Sequence, residues 1–166
     1  NGTNDIYMVA STNVNVSGDT QANIYCAGQE QIHITETFGT ESKIKVTVPD
    51  TAMAGTTGAT FASEDIMTAC KGNRNIVLSE TSYALSYDAT NLNATLVDAV
   101  AVVGDSGYAF LADAIEAANA LDSATIVLKA DVTVDETQEI TGKVTITNNE
   151  IARTIIRGND LVEAMF

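Results

Sequence analysis

Few side chains in this chain have the types and spacing that chemistry requires. Glu64-Asp65 is an adjacent acidic pair, and Asp131, Asp135 and Glu136 surround Val132-Thr133-Val134. Gathered carboxylates would suit Ca²⁺, a hard cation that takes oxygen ligands. Beside a Lys or Arg they would suit acid–base work on a sugar. Lys43 and Lys45 point the same way on one strand, with Thr47, as a strip for an acidic saccharide would; Arg153 and Arg157 form a second basic pair. His33 is the sole histidine.

Each of these has a plainer reading. Glu64-Asp65 suits the first turn of a short helix, where the macrodipole favours acids. The lysines suit a solvated strand face, and His33 lies on the polar side of its strand. The EF-hand pattern is missing around Asp131, and there is no Gly-x-Ser-x-Gly, P-loop, dinucleotide fingerprint or zinc spacing. No residue is therefore assigned as catalytic, cofactor-binding or metal-ligating, and Ca²⁺ stays open only at Asp131, Asp135 and Glu136. Cys26 and Cys70 lie 44 positions apart (70 minus 26), too far for a CxxC pair. Cys26 reads as a small buried apolar residue, or the two as a disulfide in an oxidising setting.

Composition narrows the partners. With 22 acidic and 8 basic residues the net charge is −14, which repels nucleic acid and anionic lipid. Hydrophobic residues reach 45%, enough for a packed core, while aromatics are 5% and Trp is absent, which disfavours an aromatic-lined pocket. No apolar run is long enough to span a bilayer. The opening Asn1-Gly2-Thr3 reads as an internal or processed segment.

The elements that must position these residues are mostly strands. Ile6-Tyr7 recurs as Ile24-Tyr25, and Val14-Asn15-Val16 recurs as Ile32-His33-Ile34, a spacing of about 18 residues; Ile44 to Val48 follows with the same alternation. A short fixed period of strands predicts a solenoid. Glu64 to Cys70 suits one or two helical turns. Tyr83 to Tyr87 and Asn91 to Val97 read as hairpin arms around Asp88-Ala89-Thr90. Leu111, Ala114, Ile115, Ala118 and Leu121 predict a helix from about Phe110 to Ala120, without a clear N-cap. Strands then return at 125–128, 132–134, 139–140, 144–146 and 154–156.

These residues resemble a known family. Tyr108 to Ile146, with Leu111 to Ala118 as a Leu-Ala-x-Ala-Ile-x-Ala-Ala helix, Asp122 in a turn and Ile126-Val127-Leu128 as a strand, looks like the opening of a right-handed parallel β-helix of the pectin-lyase-like superfamily. It is similar to the form found in repetitive bacterial surface proteins, down to the Thr154-Ile155-Ile156-Arg157-Gly158 element. Asn23-Ile24-Tyr25, Lys43 to Val48 and Tyr83 to Val97 resemble closing coils and their hairpin. Cys26 and Phe110 depart from the pattern.

The resemblance implies a mainly β chain of right-handed parallel β-helix segments with one capping α-helix near 110–120. Residues 1–98 would be closing coils, 99–105 a linker, and 106–166 the capping helix and first coils of a second β-helix. The function so implied is a non-catalytic structural or adhesive segment of a large secreted or cell-surface bacterial protein. Its partners would be host-surface or cell-wall glycans or proteins, or further copies through exposed coil ends. The alternatives are a fragment of a polysaccharide-active enzyme and a carbohydrate-binding module.

Overall fold

The computed structural model describes residues 5–8, 12–14, 21–26, 32–38, 43–48, 54–78 and 80–158. The chain divides into two compact units. Asn1–Glu80 and Leu85–Val97 form the first, and Thr81–Ala84 with Asp98–Phe166 form the second.

In the first unit, β1 (Asp5–Met8), β3 (Gln21–Cys26), β5 (Lys43–Thr47) and β7 (Ile76–Leu78) pair in parallel, in that order. Strands β2 (Thr12–Val14), β4 (Ile32–Ile34) and β6 (Thr57–Phe61) form a second ladder, extended by β9 (Asn93–Asp98) and β8 (Tyr83–Asp88). The period-two pattern explains the burial: Ile32, Ile34, Ile44 and Val46 are buried while Lys45 is exposed. Between β6 and β7 runs α1 (Glu64–Gly72). Ser63 caps it by accepting from the Ile66 N–H at 3.4 Å, Glu64 and Asp65 occupy its first turn, and Met67 and Cys70 form its buried face. Asp88 closes the β8–β9 hairpin. Its Oδ1 accepts from the amides of Thr90 at 2.8 Å and Asn91 at 3.2 Å, and its Oδ2 accepts from Asn91 Nδ2 at 2.7 Å.

In the second unit, β10 (Ala101–Val103) lies between β11 (Ser106–Tyr108) and β12 (Ser123–Leu128), antiparallel to both; β14 (Lys143–Thr147) pairs in parallel with β12. A two-stranded parallel sheet joins β13 (Val132–Val134) to β15 (Ile155–Arg157). Helix α2 (Leu111–Asn119) buries Leu111, Ala114, Ile115 and Ala118 against Ile126, Leu128, Val132 and Val134. Each large apolar side chain so buried stabilises the unit by roughly 1.5–3 kcal/mol. Gly107 is glycine for space: a Cβ there would strike the Tyr83 carbonyl and come within 2.9 Å of Ala99 Cβ.

The architecture corrects the expected right-handed parallel β-helix: the described residues form no such solenoid. Among the described residues the protein is mainly β, with several small parallel and mixed sheets of two to five strands and two helices. The spacing that suggested a repeat is not constant. Within one sheet the register offset grows from 18 (Ile6 to Ile24) to 22 (Ile24 to Val46) and then 32 (Val46 to Leu78), because connections of different length, one holding α1, separate the strands. In the other sheet, Ile32 faces Thr12 rather than Val14, two residues from the anticipated match. The β6–β9, β10–β11 and β10–β12 pairings are antiparallel.

Further corrections are local. The segment 99–105, expected as a linker, carries β10, whose three residues are all buried. Glu139-Ile140 is not a strand. α1 spans nine residues rather than one or two turns. Val16 lies outside the described residues.

Candidate functional site

The strands bring one sequence-predicted residue into a polar row. Register places Asn13, His33, Thr60 and Asn93 side by side across β2, β4, β6 and β9. His33 Nδ1 and Thr60 Oγ1 share a hydrogen bond of 2.7 Å. Asn93 Oδ1 is buried and accepts no hydrogen bond among the described residues. A hydroxyl beside an imidazole resembles an activated nucleophile, but that chemistry needs a third group to orient the ring. No acidic partner of the His33 ring is found among the described residues. The pair works as a cross-strand contact.

A second polar surface runs along β12 and β14. Ser123 faces Lys143 and Thr125 faces Thr145, all four exposed, while Ala124 and Ile126 between them are buried. Parallel neighbours stand about 4.8 Å apart, so the row offers hydroxyls and one ammonium at fixed intervals. Alternation along 125–128 and 144–146 is the signal that marks it.

The other candidate residues are dispersed. Glu64 and Asp65 are exposed on α1. Asp131 Oδ1 accepts from the Thr154 amide at 2.8 Å, bracing β13 to β15, and Asp135 packs against Gly158. Neither joins Glu136 in a cluster able to hold a metal, and among the described residues no group of three His, Cys, Asp or Glu side chains could. Asp131, Asp135 and Glu136 thus do not gather as the expected Ca²⁺ ligands would. Lys45 is exposed opposite half-buried Val77; the side chains of Lys43 and Thr47 lie outside the described residues. Arg153 is half-buried, with its Nε unbonded among the described residues, and Arg157 is exposed.

Cys70 is a buried free thiol whose pKa burial pushes up to about 11, a hydrogen bond with the Phe38 backbone partly opposing the rise. The Cys26 side chain lies outside the described residues. Asp88 has its pKa lowered, chiefly by the Asn91 side chain and then by the Asn91 and Thr90 amides.

Three bracing residues gave no sequence signal. Asn119 ends α2 and staples the loop beyond it, donating to the Glu139 carbonyl at 2.8 Å and accepting from the Thr141 amide at 3.0 Å. Asn75 is wholly buried, and its carbonyl accepts from the Ile44 amide at 2.6 Å. Tyr87 packs against Phe61 with the rings tilted by 36° and their centroids 5.9 Å apart, and Lys71 Nζ lies 6.0 Å from the Tyr87 centroid.

No family model matches the chain, and no curated protein and no solved structure matches it. Among the described residues no helix is long and apolar enough to cross a membrane.

Proposed function

We propose that the chain is a non-catalytic structural and adhesive segment of a large secreted or cell-surface bacterial protein. It presents ordered strand faces to glycans or proteins of a host surface or cell wall. The observation that carries the reading is the exposed row of Ser123, Thr125, Lys143 and Thr145 over a buried apolar layer. A pleated sheet fixes the spacing of such groups, so they contact a saccharide or an extended peptide at little entropic cost. The charge of −14 supports an exterior setting, where it keeps the surface well solvated.

The test is to incubate the full chain with a panel of surface glycans, polygalacturonate included, while measuring both retention and unsaturated products. Retention without turnover is expected, weakened when Lys143→Ala and Thr145→Ala are combined. Turnover would overturn the reading in favour of a polysaccharide-active enzyme. Retention unaffected by the double variant would remove this row from the function.

A further inference from the structure

We propose that a second copy of this chain adds its β1 edge, in parallel, to the outer edge of β14. Among the described residues neither strand has a neighbour on that side: β14 closes the order β11-β10-β12-β14 and β1 opens the order β1-β3-β5-β7. Unpaired edges hold backbone donors and acceptors that template another strand. Both strands already run parallel to their inner neighbours, so parallel addition continues each ladder.

One register satisfies pattern and charge together. With Lys143 opposite Asp5, Val144 faces Ile6, Thr145 faces Tyr7 and Ile146 faces Met8. Val144 and Ile146 are half-buried against their unit's core. Ile6 stands in the register column that runs through Ile24 and Val46 to Leu78, of which Val46 and Leu78 are buried. A slip of one residue would bring Val144 and Ile146 against Asp5 and Tyr7 instead.

Charge selects the occupant. Copies with a net charge of −14 repel one another overall, but the charge is uneven. Residues 143–157 hold Lys143, Arg153 and Arg157 against Glu150, three minus one, or +2. Of the four residues of β1, Asp5 is the charged one, so the two strands that would meet carry Lys143 and Asp5. Two β14 edges would set like charges together, whereas β14 on β1 joins opposite ones. Such a contact is heterologous and leaves one edge of each kind free in a pair.

Sedimentation velocity of the full chain across concentration and salt tests this, with circular dichroism of each variant to verify folding. The weight-average mass should exceed the monomer, rise with concentration and fall at high salt. Lys143→Glu and Asp5→Lys should each weaken association by roughly threefold to tenfold, and the two together in one chain should restore it. A monomer at every concentration up to about 1 mM overturns the proposal. So does association that ignores Asp5→Lys, which is what pairing of β14 with β14 or with another partner predicts. Failure of the double swap to restore association overturns it as well.

Discussion

His33 on β4 and Thr60 on β6 are tied side chain to side chain, Nδ1 to Oγ1 at 2.7 Å, at positions already paired through the backbone ladder. The contact gives the centre of its sheet a specific polar clasp between flanking buried pairs, Ile32 with Ala59 and Ile34 with Phe61.

Thr60→Val keeps the shape and removes the hydroxyl, and it should cost about 1 kcal/mol in urea unfolding. Because the imidazole is only half-buried, water can replace the lost partner and limit the penalty. A cycle with His33→Ala should return a coupling of about 0.5–1.5 kcal/mol. Additive single effects would show that the two groups act separately.

Gly107→Ala should destabilise strongly, by about 1–3 kcal/mol, because the new methyl meets the Tyr83 carbonyl and Ala99. Gly72→Ala is the contrasting case. It ends α1, has nothing within 4 Å of the added Cβ, and should stabilise by about 0.4–1 kcal/mol. Chemical denaturation of both variants checks the pair of opposite signs.

Cys70 should resist thiol reagents at pH 8 in the native state and react once the chain unfolds. Its pKa is raised from 9.0 to about 11. Between those values the unfolded chain holds fewer protons than the folded one, so stability falls as pH rises through that window. The loss is on the order of 2 kcal/mol by pH 11. Cys70→Ala should flatten that slope while lowering stability at pH 7.

Asp88 works in the opposite direction. Its pKa is lowered from 3.8, so its contribution is present above that value and fades as pH falls through the folded-state pKa. Asp88→Ala should destabilise the β8–β9 hairpin at pH 7, and the gap to the parent chain should narrow in acid. Thermal unfolding followed at several pH values tests the convergence.

Much of the local structure is legible in residue order. Leu111, Ala114, Ile115 and Ala118 define α2 because helical spacing puts all four on one buried face. Phe110 sits at its N-cap without a side-chain cap bond, consistent with the missing start signal. Asp88-Ala89-Thr90 announces its hairpin because a short acceptor side chain can bind the amides that follow. Strand partnership is less visible. Ile6 and Ile24 pair as their similarity suggests, yet nothing in Val100 to Val103 says that it lies antiparallel between two strands. A fully buried strand has no polar alternation to set it apart from an apolar connector. The candidate surfaces were half legible for the same reason. Lys143 and Thr145 alternate visibly, but their neighbours Ser123 and Thr125 lie 20 residues earlier and are matched by register alone.

The chain passes between its two compact units three times: after Glu80, after Ala84 and after Val97. No single nick can therefore sever one half from the other intact. A fragment starting at Asp98 forfeits the Ser82 carbonyl that accepts from the Ala99 amide at 2.8 Å, along with the Tyr83 backbone that shapes the niche around Gly107. Anyone dissecting this protein by truncation should carry Thr81–Ala84 with the downstream piece.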